Sequence, residues 1–128
     1  MSVPTANDTW ISINTPYTSD ITLVNNTFAA ITQAYSSGNR HYHTMQHIEH
    51  LLSLCHQYAD HIKDRDTLLF AVFFHDIIYD IPGAENEEQS AAAAVNYLHK
   101  INYPSSDIAV VKDYIIIVTL RVQGLRFF

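Results

Sequence analysis

Residues 68–90 read LLFAVFFHDIIYDIPGAENEEQS. The first half of this stretch is apolar on every side: Leu68, Leu69, Phe70, Ala71, Val72, Phe73 and Phe74, then Ile77 and Ile78. A helix without a polar face belongs in the middle of a domain, packed all round by other helices. His75 and Asp76 nevertheless stand inside the run. Burying a carboxylate costs several kcal/mol or more unless a cation or good donors compensate it. Two partners answer that need: a metal ion held jointly with His75, or a donor such as Arg40 or a backbone N–H in an ordinary core His–Asp pair. The dipeptide alone leaves both open.

Downstream, Pro82-Gly83 is expected to stop this helix, whose start falls near Asp64 or Asp66. Asn86 reads as the cap of the next helix, with Glu87 and Glu88 in its first turn and Gln89 closing a capping box. That helix runs to about His99. The acidic pair serves the helix dipole first. A last helix is expected from Ser105–Asp107 onward, after Pro104, with Ile108, Val111, Ile115, Val118 and Val122 in helical period. Its β-branched run at 115–119 suits a strand as well. Helix is preferred because no other segment offers a strand to pair with it.

Upstream, residues 1–16 read as polar and irregular, with Trp10 and Ile11 as anchors onto the core. Thr18 or Ser19 is expected to cap a helix reaching about Tyr35, marked by Ile21, Val24, Phe28 and Ile31. A second helix begins near His43 or Thr44, with Met45, Ile48, Leu52, Cys55, Ala59 and Ile62 as its buried stripe. His43 and His47 are four residues apart and share a face on the shoulder of that stripe. Two imidazoles at that spacing can address one site. His50 is a spare candidate, and His56, His61 and His99 read as surface residues. A solvated histidine ridge is the plain alternative for such a pair.

Composition narrows the function classes. The chain of 128 residues is long enough for one domain with a real core. A formal charge of −6 and the lack of a Lys/Arg run argue against nucleic acid as a generic partner. Cys55 is the single cysteine, which excludes a disulfide framework and a thiolate zinc cluster. There is no basic-then-apolar leader, and the run at 68–74 is far short of the roughly 20 residues a bilayer span needs. A cytoplasmic protein without membrane attachment is expected.

Taken together, Tyr42-His43 with His47, followed by His75-Asp76 on a buried helix, resembles the HD superfamily of metal-dependent phosphohydrolases. The nearest likeness is to small bacterial HD proteins with a Tyr-His-x-x-x-His element and a His-Asp-x-x-Tyr-Asp element. The same two elements stand in the same order in cyclic-nucleotide phosphodiesterases, although Thr44 replaces their asparagine. The likeness extends over residues 10–119. It implies an all-α, HD-like bundle of about five helices, with residues 1–128 forming a single domain. It implies a divalent transition metal (Mn, Fe, Co, Ni or Zn, as one or two ions) held by His47, His75 and Asp76. A mixed nitrogen–oxygen donor set suits those ions. His43 would act as general acid on the leaving group, and Arg40, Asp80 and Glu87 are candidates to support the ligands. The substrate would be a nucleotide or other small phosphoester, attacked by metal-activated water.

One departure from the HD pattern carries its own expectations. HD sites are completed by a further aspartate on a later helix, and only Asp107 and Asp113 follow Asp80 here. Asp113 reads as solvent-facing. The domain is therefore expected to be incomplete at its C-terminal part. On the alternative functional reading the chain is a degenerate HD protein that binds metal weakly, self-associates through exposed apolar surface and serves as a helical interaction module.

Overall fold

The computed structural model describes residues 4–36, 44–78 and 86–125, with side chains described as far as residue 117. These residues form six α-helices: α1 (Ala6–Asn14), α2 (Ile21–Ala34), α3 (Met45–Gln57), α4 (Arg65–Phe74), α5 (Asn86–Lys100) and α6 (Ser105–Leu125). A single 3-10 turn, Ala59–His61, lies between α3 and α4. No strand occurs among the described residues, so the architecture is all-α as expected.

Helix α4 is the axis of the bundle, in contact with α1, α3, α5 and α6. Leu69, Phe70, Ala71, Phe73 and Phe74 are buried, which is how an all-apolar helix must be placed. The Asp64 carboxylate caps its start by accepting the Thr67 N–H at 3.4 Å. Its end differs from expectation. The helix stops at Phe74, well before Pro82, and His75 is its C-cap rather than an interior residue. The cause is competition for backbone groups. In a continuing helix the Asp76 N–H would bond to the Val72 carbonyl. Here the His75 ring occupies that carbonyl, and the Asp76 N–H instead donates to Tyr35 Oη.

The N-terminal segment also departs from the irregular chain expected over 1–16. Thr5 and Asp8 form a capping box, with Asp8 N–H to Thr5 Oγ1 at 3.0 Å and Thr5 N–H to Asp8 Oδ2 at 3.4 Å. Helix α1 follows and buries Ala6, Trp10 and Ile13 on one face. Trp10 is the anchor the sequence suggests. It is fully buried, packs edge-on against Phe70 and Phe73 at centroid distances of 5.8 and 5.0 Å, and donates Nε1–H to the Val24 carbonyl. Asn14, also fully buried, ties Trp10 O to the Tyr97 hydroxyl.

Other boundaries shift by local chemistry. Asp20, not Thr18 or Ser19, caps α2 by accepting the Leu23 N–H, while Thr18 Oγ1 accepts from Asp20 N–H. Helix α3 ends at Gln57 and gives way to the 3-10 turn, so Ala59 and Ile62 lie beyond it. Asn86 is the first residue of α5, and the cap position before it lies outside the described residues. Helix α5 closes with Asn102 in the left-handed region (φ 58°), its N–H reaching His99 O and the Tyr103 N–H reaching Leu98 O. That pair of bonds is a Schellman cap, and asparagine tolerates the required φ. Pro104 then opens α6, its carbonyl accepting from Asp107 and Ile108. Ile108, Val111 and Ile115 are buried against α5 and α4, so helical period wins over β-branching in the final segment.

Candidate metal centre

The site forms where the start of α3 meets the end of α4. Thr44 caps α3, its Oγ1 accepting the His47 N–H at 3.4 Å. This sets the helix phase: Ile48 turns into the core and half-buried His47 stands beside it in the first turn. The His47 and His75 rings lie edge to face with centroids 5.8 Å apart. His75 is itself buried, and Asp76 is half-buried.

His75 is held in one orientation. Its Nδ1 lies 2.6 Å from the Val72 carbonyl oxygen, which can only accept, so Nδ1 carries the proton. Nε2 is then turned toward Asp76, 3.6 Å from Oδ2. A ring nitrogen and a carboxylate oxygen thus stand side by side at the end of α4. Metal-bound histidines commonly fix their tautomer through such a carbonyl contact. Two ligands each about 2.1 Å from an ion and about 110° apart would lie about 3.4 Å from one another. The His75–Asp76 separation fits that spacing, and the nitrogen–oxygen donor set fits a divalent transition metal. Among the described residues, no three His, Cys, Asp or Glu side chains yet close on a single point. His47 is therefore gathered near the pair without completing a coordination set.

Two residues outside the sequence candidates hold this geometry. Tyr35 is buried at the end of α2, and its Oη donates to Phe73 O and accepts from Asp76 N–H, both at 3.0 Å. Ser90, fully buried in α5, accepts the Ile78 N–H at 3.0 Å and donates to Ile78 O at 3.3 Å. The backbone just after α4 is thus pinned from both sides. A hydroxyl on the core-facing stripe of the alanine-rich α5 was the available signal for Ser90. For Tyr35 it was a polar tip ending an apolar stripe.

The other sequence candidates distribute as follows. His43, Arg40 and Asp80 lie outside the described residues. Glu87 is half-buried in the first turn of α5 and makes no hydrogen bond or ion pair among the described residues. His50, His56, His61, His99 and Asp113 are exposed. Cys55 is buried, and burial pushes its thiol pKa up, with Arg65 opposing the shift. A thiol so held stays protonated and is no nucleophile. Beside His75, a cleft of about 200 Å³ opens between α3, α4 and α6.

The six helices, with a histidine pair and an adjacent Asp at the α3–α4 junction, define an HD-like helical bundle. Within that class the chain belongs to the HD domain family, whose model matches residues 44–119, more than half of its length. The match begins later than the residue-10 start that the motifs suggested, so α1 and α2 precede it, and His43 falls one position before it. Comparison with curated proteins and with solved structures gives no match. HD domains usually bind divalent metals and typically hydrolyse phosphoesters. Among the described residues, no helix is long and apolar enough to cross a membrane.

Proposed function

We propose that this chain is a metal-dependent phosphohydrolase acting on a nucleotide or other small phosphoester. The observation that carries the proposal is the fixed orientation of the His75 ring, with Nδ1 bonded to Val72 O and Nε2 facing Asp76 Oδ2 at 3.6 Å. Family membership supports the same reading. His47, His75 and Asp76 would hold the ion. Once bound, the metal supplies an acidified water and charge neutralisation at a phosphoryl oxygen.

The residues of the chain do the rest. Val72 O holds the His75 ring so that Nε2 is the nitrogen turned toward Asp76 and would be the one to meet an ion. Tyr35 anchors the Asp76 backbone N–H, which fixes the point from which the carboxylate reaches toward the site. The apolar bulk of α4 excludes water from behind the ligands, which strengthens their attraction for a cation. His43, four positions before His47 in sequence, would donate the proton to the leaving oxygen. The test is phosphate release from a panel of nucleotides and simple phosphoesters by purified protein supplied with Mn, Co, Ni or Zn. The proposal expects turnover that a chelator abolishes and the same ion restores. Turnover that is unchanged in chelator refutes it.

A further inference from the structure

Sequence spacing on two helices explains the shape of the cleft beside His75. His47, Leu51 and Leu54 recur at i, i+4 and i+7 along α3, and Leu68, Val72 and His75 do the same along α4. The two stripes run antiparallel: the histidines meet at one end, and Leu51, Leu54, Leu68 and Val72 line the walls beyond them, with Tyr114 of α6 beside them. Seven residues of helix make the groove about 10 Å long. Its volume is about 200 Å³, and its lining is almost wholly apolar, with His75 as the polar group at one end.

From this continuity we infer that the groove seats an apolar group of the substrate, so that the preferred phosphoesters carry an aryl or compact alkyl moiety rather than a sugar. The inference rests on the hydrolase reading for the phosphate end and adds the identity of the other end. An apolar cavity of about 150 Å³ accepts benzene, so this groove has room for a fused aryl ring or a branched alkyl chain. Among the described residues, the walls offer no set of donors and acceptors to satisfy sugar hydroxyls or the edge of a nucleobase. A polar group placed there would lose its hydration without replacement. The phosphate end differs, because His75, which lines the groove there, turns its Nε2 toward Asp76.

Binding and turnover are measured separately. Binding of 1-naphthyl phosphate is followed by its fluorescence, with ribose 5-phosphate and inorganic phosphate as competitors, and both esters are assayed for phosphate release. The inference expects 1-naphthyl phosphate to bind at least about 10-fold more tightly than ribose 5-phosphate, the discrimination an apolar pocket readily supplies. Leu54→Gln, at a partly exposed wall position that tolerates a polar side chain, should reduce that preference about 10-fold. Leu68→Gln, on the opposite wall, gives a second reading should the first variant fold poorly. Leu54-dependent naphthyl binding without turnover would support the groove and overturn the hydrolase reading. Turnover with no preference for the aryl ester would support the hydrolase reading and overturn the groove. Concentration-dependent self-association that Leu54→Gln abolishes, with no effect on naphthyl binding, would assign the groove to a second copy and overturn the inference as well.

Discussion

Replacing Tyr35 with phenylalanine removes one oxygen atom and two hydrogen bonds from a residue that is 1% exposed. The ring remains, so its packing is retained and no large cavity opens. Each bond contributes about 1 kcal/mol net, and a buried group left without a partner costs about 1–3 kcal/mol. Phe73 O lies in the core and meets that penalty in full, because Phe73 is fully buried. The half-buried Asp76 N–H recovers part of its loss by binding water. The expected destabilisation is about 2–3 kcal/mol, or a Tm lowered on the order of 8 °C for a domain of this size. Metal affinity should fall roughly 10-fold or more, as when other groups that orient ligands are removed. Thermal and chemical denaturation measure the first effect and calorimetric metal titration the second. Tyr58→Phe, at an exposed tyrosine, serves as control and should change neither. A Tyr35→Phe protein within about 0.5 kcal/mol of the parent, with the same metal affinity, would refute the reasoning.

Ser90→Ala should cost about 1–3 kcal/mol, because both backbone groups of Ile78 lose their partner, and chemical denaturation checks it. His43→Ala should spare metal binding while reducing turnover on the order of 10²-fold, and an equal loss of metal would make His43 a ligand instead. Stability should decline above about pH 10. Burial raises the pKa of Tyr97 and of Tyr103, so the unfolded chain releases those protons first and further alkalinity favours unfolding. Tm measured from pH 8 to 11.5 tests this, and Tyr103→Phe should flatten the decline.

What the sequence made legible was the apolar axis. Seven consecutive apolar residues ahead of His75 require a central helix, and α4 is one. The period of Ile108, Val111 and Ile115 likewise sufficed for α6. Helix α1 had a readable signal in Thr5 and Asp8 and in the spacing of Ala6, Trp10 and Ile13, but polar residues between them masked it. The early end of α4 was not readable locally. It depends on Tyr35, which is 41 positions from Asp76, and on Ser90, which is 12 from Ile78. The pairing of His47 with the His75-Asp76 element could be suggested by helical spacing, but the antiparallel packing of α3 on α4 that brings the rings together could not. Nor could the orientation of the His75 ring, which a carbonyl one turn earlier decides.

The central claim, that His75 and Asp76 form a metal site, is tested most directly by metal content. Purified protein is equilibrated with Mn, Co, Ni or Zn, freed of excess ion and assayed for bound metal beside His75→Ala, Asp76→Ala and His50→Ala. The account predicts metal retained by the parent and by His50→Ala and lost from the other two, with circular dichroism showing all four helical. Metal retained undiminished by His75→Ala and Asp76→Ala, or lost from His50→Ala alone, would contradict it.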